Sequence, residues 1–474
     1  MSLSVGITMA ISLILRMALP RVFGPEKMGV LYFAESFSNL FFTFLPLGLT
    51  TYINRTVPAR PAHTGEILNT ILVLEAFAAL FIGILLWGSL IWTGHDTETI
   101  RATLIMGGYA AFFIFQKSVM HAVYIAHDEF VLISRLNIII KVVLVLSCLL
   151  CLWIWPSVSL IATMYLLSEL CGFVFLLWIS KKRGYLAVSP DWGRLKQILK
   201  ISLPFYLAGV LNGVYSEIDT TMLAQLANHK EVGYFGAAYK LIGVFLMMIP
   251  IIHSAFTPAL SRALAAADGS FLALAQQLIR FLLIASLPLS MGLIIFGDHI
   301  ARILYGDSFA PSFKVICYLS PVLTMMYLNT FMAICMNLSS SGRKLAIIFV
   351  FGILLNIGLD SLFIPWGLKM HGEGGAALGV SFATFLCELY SFIAMICIFP
   401  GRMQHARLAY GCLAIFLPCW LGMYFYDDLV AWELGWRVLL ALSIPIYAFA
   451  VRVVTLAECK SFIELFRQGR GAVT

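Results

Sequence analysis

The sequence predicts an all-α fold, a polytopic membrane bundle of about 14 transmembrane helices, from its composition and from the length of its apolar runs. Hydrophobic residues fill 61% of the 474 positions and charged residues only 12%, which is about half the charged share of a soluble domain. A soluble chain of this length divides into several domains with polar exteriors, and 31 basic and 24 acidic side chains are too few to cover them. An ordinary soluble enzyme, a disordered protein and a nucleic-acid-binding protein are therefore excluded.

The apolar residues gather in runs of about 20, the length of a helix that spans a bilayer. Several runs contain proline, for example Pro46, Pro250 and Pro321, which membrane helices tolerate. The runs lack the alternation of a membrane β-barrel, and a helix satisfies its backbone hydrogen bonds within its own segment. The predicted spans are 3–23, 29–53, 67–93, 101–126, 130–154, 157–180, 198–223, 232–260, 276–297, 313–338, 343–364, 374–399, 407–426 and 434–456.

The basic residues predict the orientation of the chain. With the N-terminus in the cytoplasm, 19 of the 31 Lys and Arg residues fall in cytoplasmic connections, seven in external connections and five inside spans. This is the asymmetry of the positive-inside rule, and it places both termini in the cytoplasm. The net charge of +7 is therefore read as a signal of topology, and no nucleic-acid partner is expected.

The chain also repeats itself, as many transporter folds do. A shift of 204 residues aligns Gly29 with Gly233 and Pro46 with Pro250, and a shift of 219 aligns Glu169 with Glu388. The matches keep their order and predict two halves of six helices each, pseudo-symmetric about an axis along the membrane normal. The predicted divisions are an N-lobe at 1–180, a basic cytoplasmic linker at 181–197, a C-lobe at 198–400, and two further helices with a tail at 401–474.

Charged residues inside the spans are the candidates for function, because a charge in the bilayer core is costly and is retained for a reason. The first half holds four cations and three acids and the second half one cation and four acids. These residues are Arg16, Arg21, Lys117, Lys141, Glu35, Glu75 and Glu169, then Lys240, Glu217, Asp219, Asp360 and Glu388. The alternative interpretation is that they pair with one another and only hold helices together.

Helical spacing places several of these charges on polar stripes. Asn137 with Lys141, and Asn356 with Asp360, are i, i+4 pairs at matching repeat positions. Glu35 heads one stripe with Asn39 and Thr43, Asn212, Ser216 and Asp219 form a second, and Lys117, His121 and Tyr124 a third. We expect these stripes to face a cavity rather than lipid.

The other motifs point to packing rather than to chemistry. Cys148 and Cys151 have CxxC spacing, but inside an apolar run and without a second pair, so core packing is the preferred interpretation and no metal site is predicted. The glycines near 372–379 favour close helix packing. The sequence contains no P-loop or dinucleotide-binding fingerprint, and no cofactor is expected.

Six stretches carry a resemblance to a known family. Arg21, Gly24, Pro25, Gly29 and Tyr32 resemble the turn after the first helix of polysaccharide flippases. Further segments resemble the seventh, eighth and twelfth helices of the Wzx-type oligosaccharide flippases, which share a superfamily with multidrug and toxic compound extrusion transporters and with the lipid II flippase. These segments are Ile218–Leu223, Glu231–Tyr234, Ala237–Lys240, Pro258–Arg262 and Gly374–Ala377.

The resemblance implies a function and a set of site residues. Such proteins are not enzymes. They move an undecaprenyl-diphosphate-linked oligosaccharide to the outer leaflet of the bacterial inner membrane by alternating access, coupled to H⁺ or Na⁺, for O-antigen, capsule or exopolysaccharide synthesis. Implied partners are this lipid-linked glycan, membrane lipids, and the polymerase and glycosyltransferases of the pathway. The implied substrate-binding residues are Arg16, Arg55, Lys117, Lys141 and Lys240, and the implied ion-coupling residues are Glu169, Glu217, Asp219 and Asp360. The resemblance also suggests that the two last helices shape a groove for the lipid tail.

Three alternatives stay open at this point. One is a cation-coupled multidrug or metabolite exporter of the same fold, although such exporters have twelve helices and an acid in the first one. Another is a lipid II flippase, although the first two spans offer at most Arg16, Arg21 and Arg55. The third is a membrane-embedded glycosyltransferase or polymerase, which the short external connections disfavour.

Overall fold

The computed structural model describes residues 2–59, 63–186, 193, 195–266, 269–339, 341–399 and 405–450, and within these ranges the ordered elements are all helical. The chain forms two compact units, residues 1–233 and 234–474. Residues 187–192 and 194 of the basic linker, the side chains of the last turn of the final helix and the tail beyond 450 lie outside the described residues.

The first unit is built around α1, which packs against α3, α4, α6, α7 and α8. A π-helix, Phe115–Met120, lies between α4 and α5. The helices are α1 (Ser2–Phe42), α2 (Leu49–Thr56), α3 (Thr64–Trp92), α4 (Thr97–Ile114), α5 (His121–Ala126), α6 (Phe130–Ile154), α7 (Val158–Lys182), α8 (Leu195–Leu226) and the start of α9 (His229–Leu246).

The second unit is centred on α12, which packs against α10, α11, α13, α14 and α15. Its α13 and α14 approach closely, because a Cβ on Gly367 would overlap the backbone of Gly375, which confirms the packing interpretation of those glycines. The helices are α10 (Ile249–Ala266), α11 (Ser270–Tyr305), α12 (Pro311–Leu338), α13 (Gly342–His371), α14 (Gly375–Ile398), α15 (His405–Tyr424), α16 (Tyr426–Ala431) and α17 (Leu434–Ala450).

The predicted spans coincide with these helices. Among the described residues, nine helices are long and apolar enough to cross a membrane. One of them, α1, holds the first predicted span and the second as far as Phe42, with a break at Gly24 (φ 68°) before Pro25. The spans predicted at 198–223, 232–260, 407–426 and 434–456 correspond to α8, α9 with α10, α15 and α17. The polytopic α-helical membrane fold is confirmed.

Two predicted spans are interrupted, and at equivalent places. The run 29–53 stops at Phe42 and resumes at Leu49, and the run 232–260 stops at Leu246 and resumes at Ile249. Pro46 lies in the first gap and Pro250 begins the second resumed helix, because proline disfavours a helical residue before it and suits the first turn of a helix. The two prolines are those that the repeat aligns, so the halves share this break.

The repeat is also visible as a reciprocal contact within the first unit. A Cβ on Gly29 would overlap the backbone carbonyl of His229, and a Cβ on Gly233 would overlap that of Pro25. The shift of 204 residues converts Gly29 into Gly233 and residue 25 into residue 229. The two contacts are therefore related to each other by the shift of the repeat.

Two contacts join helix ends that the predicted topology places on the same side of the membrane. Gln225 hydrogen-bonds His95 at 3.1 Å, and both lie at ends that the topology places outside. Arg183 pairs with Glu129, and both lie at ends placed in the cytoplasm. Trp92, Trp153 and Trp155 are exposed at predicted external ends, where indole rings favour the headgroup layer.

Candidate functional site

The first unit contains a polar cluster built on the π-helix. A π turn inserts one extra residue into a helix and is frequent at functional sites. Here it carries Gln116 and Lys117, and the hydroxyl of Thr50 donates to the Ser118 carbonyl inside it at 3.0 Å. The irregular backbone is thus held by a neighbouring side chain, as is required at membrane depth.

Lys117 is the centre of this cluster. Its Nζ donates to Oδ1 of Asn137 on α6 at 2.5 Å, and Lys141 lies one turn further along α6. The carboxylate of Glu169 on α7 acts electrostatically on both lysines, which also act on each other. Three helices therefore bring two predicted cations and one predicted acid together.

Helix α1 completes the cluster. Arg16 and Glu35 both act electrostatically on Lys141. Glu35 also acts on Tyr109 and Tyr165, whose ring centroids are 5.5 Å apart. The cluster holds three cations and two acids. It has a net positive formal charge in a half-buried to buried setting, which suits an anionic ligand.

Several polar atoms of the cluster have no hydrogen-bond partner among the described residues. These are both amide atoms of Gln116, one oxygen of Glu169 and Nε2 of His121. Gly172 on α7 makes room for Gln116, because a Cβ there would overlap the amide nitrogen. Buried polar groups are normally paired, so such a group calls for an explanation, and a bound ligand is one.

The remaining site residues predicted in the first unit lie elsewhere. Glu217 on α8 is half-buried and accepts from Nδ2 of Asn39 at 3.2 Å, so one predicted polar stripe meets a predicted ion-coupling acid. Asp219 is buried on the same helix. Arg55 is exposed at the end of α2, and it is not among the charges that act on the two lysines.

The second unit holds the other predicted residues. Lys240 is half-buried on α9, and Asp360 on α13 is fully buried one turn from the buried Asn356. Sequence reasoning noted Glu388 as a charge but missed its partner: Nδ2 of Asn329 donates to its Oε2 at 2.5 Å and to its carbonyl at 2.8 Å. Each half thus places an acid on the helix of its sixth predicted span, Glu169 on α7 and Glu388 on α14.

Sequence reasoning missed three members of the first cluster. Gln116, Tyr109 and Tyr165 carry no charge and were not candidates. Gln116 had a signal, since it adjoins Lys117 in an otherwise apolar run. The two tyrosines had none, because aromatic residues are common throughout the spans.

An apolar cavity of about 330 Å³ opens between α12, α14 and α15 in the second unit. Its walls are aromatic and aliphatic, and the only side-chain polar groups among them are the hydroxyl of Tyr318 and the indole N–H of Trp420. The lining residues include Pro321, Phe382, Phe385, Phe416 and Trp420. The first of the two last helices therefore borders a groove without charge.

Comparison with known proteins agrees with this architecture. The family model described as "Polysaccharide biosynthesis protein" matches residues 18–314. The lipid II flippase MurJ in its inward closed conformation superposes with a TM-score of 0.71 at 14% identity, over 95% of this chain and 98% of that one. An inward-facing multidrug resistance MATE family transporter of the MOP superfamily gives 0.62 at 16% identity, over 85% and 95%. A search of curated protein sequences found no match.

The fold is that of a multi-pass membrane transporter, shared with these solved structures. Within that class, the chain belongs to the polysaccharide biosynthesis protein family, whose model covers more than half of its length. The resemblance to flippases is thereby confirmed.

Proposed function

We propose that this chain moves an undecaprenyl-diphosphate-linked oligosaccharide from the cytoplasmic to the outer leaflet of the bacterial inner membrane. It would act between the glycosyltransferases that build the glycan and the polymerase that extends it, for O-antigen, capsule or exopolysaccharide. The observation that carries the proposal is the net positive cluster of the first unit, around Lys117, Lys141 and Arg16.

A diphosphate matches this cluster chemically. Its oxygens accept charge-assisted hydrogen bonds from Arg and Lys. Lys117 is oriented by Asn137 and keeps two further N–H donors, and the unpartnered Gln116 amide can donate to a sugar or a phosphate oxygen. Arg55, at the end of α2, and Lys240, on α9, would contact the substrate at other stages of its passage.

Ion coupling is assigned to acids. Lys117 and Lys141 both act electrostatically on Glu169. Its carboxyl group can hold a proton, or release it as the two cations bind phosphate. Glu217, Asp219 and the fully buried Asp360 are the further candidates for H⁺ or Na⁺. Both termini would lie in the cytoplasm, and the predicted lobes 1–180 and 198–400 would alternate around the substrate.

The apolar cavity beside α15 suits the lipid part of the substrate. A polyprenyl chain has no polar group to satisfy, and the walls offer almost none. Burial of its methylene groups stabilises binding by about 0.8 kcal/mol each. The cavity therefore supports a lipid-linked substrate over a free sugar.

The test is substitution of the cluster cations. Lys117→Ala and Lys141→Ala should each abolish surface glycan in cells that depend on this chain, while the lipid-linked intermediate accumulates in the inner leaflet. The loss follows because each variant removes a cation from a site that must bind two phosphates. Glycan is measured by gel and the intermediate by mass spectrometry of extracted lipids.

Lys344→Ala is the matched control, since Lys344 is exposed at the start of α13. It should leave the glycan unchanged, and membrane levels of all three variants are compared by immunoblot. Normal glycan in both cluster variants would contradict the proposal. Export of unrelated organic cations with normal glycan would favour the exporter alternative instead.

A further inference from the structure

Glu75 lies in the middle of α3 and takes no part in the cluster. It is 0% exposed, and neither carboxylate oxygen has a hydrogen-bond partner among the described residues. Glu169 acts electrostatically on both Lys117 and Lys141, and Glu35 acts on Lys141. Glu75 is not among the charges that act on either lysine. It is thus a separate, isolated acid at membrane depth.

The packing of α3 places Glu75 against the π-helix. Leu86 lies over Gly107 of α4, and Leu68 and Ile71 share a core with Val119 and Met120. In this antiparallel pair, residue 75 falls opposite residues 115–118. Helix α3 also packs on α1, so α1, α4 and the π-helix all pack against the helix that carries Glu75.

Helices α1 and α4, the π-helix and the adjoining α5 all carry ionisable groups. They are Arg16 and Glu35 on α1, Tyr109 on α4, Lys117 on the π-helix, and His121 and Tyr124 on α5. Lys117 is directed to Asn137 and Tyr124 to Ser180 at 2.9 Å. Among the described residues, none of these groups hydrogen-bonds Glu75.

An ionised carboxylate without a partner is not tolerated in such a place, and the group binds a proton instead. Sodium is the poorer ligand, because backbone carbonyls of unwound helices commonly supply its oxygen ligands in transporters, and α3 is an uninterrupted helix from Thr64 to Trp92. An acid that only filled space would be better replaced by an apolar residue. The isolation of Glu75 therefore selects H⁺ as its ligand.

We infer that Glu75 is a proton-carrying site of this transporter, loaded in the present conformation and emptied when a conformational change gives its carboxylate a cation or water. The inference rests on the proposed function, to which it adds the coupling ion and a residue outside the predicted ion-coupling set. The irregular π-helix is the neighbour most able to rearrange, since π turns can shift along a helix.

The first test measures the proton itself and does not depend on the substrate. Infrared spectra of the full chain in lipid nanodiscs at neutral pH should show a protonated carboxyl band that Glu75→Gln removes. Glu66→Gln, at a half-exposed position of the same helix, should leave that band. Identical spectra for the wild type and Glu75→Gln would overturn the inference, whatever the substrate is.

The second test measures coupling. In proteoliposomes, Glu75→Gln should still exchange a fluorescent polyprenyl-diphosphate glycan between leaflets but lose its acceleration by a pH gradient, whereas Glu66→Gln should respond normally. An unchanged gradient response in Glu75→Gln would overturn the coupling role. Inactivity of the wild type towards this probe would contradict the proposed function and leave the infrared test standing. Glu75→Gln is nearly isosteric, and its folding is checked by thermal unfolding.

Discussion

Among single residues, Asp96 shows how a loop side chain defines the start of a helix. Its Oδ2 accepts from the backbone N–H groups of Glu98 at 3.0 Å and Thr99 at 3.2 Å, which caps α4. Burial raises the pKa of Asp96, but the hydrogen bonds from Thr99 and Glu98 outweigh it and the pKa lies below its usual value. The carboxylate is therefore better stabilised in the folded chain than in the unfolded one.

This difference predicts a dependence on pH. A lowered folded-state pKa contributes stability that is complete above the unfolded value of about 3.9 and is lost as pH falls through the folded value. Asp96→Ala should cost about 1 kcal/mol at neutral pH, the usual value of a cap. Asp96→Asn keeps the cap without the titration, so it should lose less stability on acidification. Melting curves at neutral and acidic pH check this, and identical curves for all three proteins would contradict it.

Single residues also show where sequence reasoning ends. Each cation of the cluster could be predicted, because a charge in an apolar run stands out. Their partners could not, since the facing residues depend on helix rotation, and the extra residue of a π turn rotates the rest of the helix by about 100°. The hydrogen bond from Lys117 to Asn137 and the unpartnered amide of Gln116 both depend on which residues face the π turn.

Among the helices, α17 is joined to α11 by a buried ion pair. Nη1 of Arg437 lies 2.9 Å from both oxygens of Asp298, and the two residues are 1% and 3% exposed. Arg437 also donates to the carbonyls of Ile295 and Val430. The bonds to Asp298 and Ile295 join α17 to α11, and the bond to Val430 joins it to α16, so Arg437 fixes how α17 docks.

Breaking this pair should be costly, because the remaining charge would be buried alone. Arg437→Met should destabilise the second unit by about 3–5 kcal/mol, and adding Asp298→Asn should recover much of the loss. Arg302→Met is the control, since its pair with Asp307 at 3.0 Å is exposed and worth about 1 kcal/mol or less. Thermal unfolding and protease access to α17 report the difference. Equal effects of the two Arg→Met variants would refute the assignment.

The same pair explains why hydropathy misplaces a helix boundary. Hydropathy ends a span at 297 because Asp298 is charged, and it predicts a loop at 298–312. The structure continues α11 to Tyr305 and begins α12 at Pro311. A partner 139 residues away makes the charge compatible with a helix, and hydropathy has no access to that partner. The breaks at Pro46 and Pro250 are equally absent from the hydropathy pattern, although proline offers a local signal for both.

For the whole molecule, the internal repeat was the most far-reaching prediction from sequence. It rested on scattered matches such as Gly29 with Gly233, which apolar helices can produce by chance. The structure gives both glycines a physical role. Gly29 lies against the backbone carbonyl of His229, four residues before Gly233, and Gly233 lies against that of Pro25, four residues before Gly29. Only glycine allows backbones this close, so the pairing is a requirement of packing.

The reciprocity of that contact leads to a prediction about pseudo-symmetry. Gly29→Leu and Gly233→Leu should destabilise the protein by similar amounts, about 1–3 kcal/mol each, because both force the same two backbones apart. Gly83→Leu is the control, since a Cβ there meets nothing within 4 Å. Thermal unfolding in one detergent compares the three variants.

The double variants decide whether the two glycines share one contact. Once Gly29→Leu has separated the backbones, Gly233→Leu has less left to disturb, so their combined cost should fall short of the sum of the single costs. Gly29→Leu with Gly83→Leu should be additive, because those positions share no neighbour. Additive costs for Gly29→Leu with Gly233→Leu would mean two independent contacts, and the glycines would then not share one packing requirement.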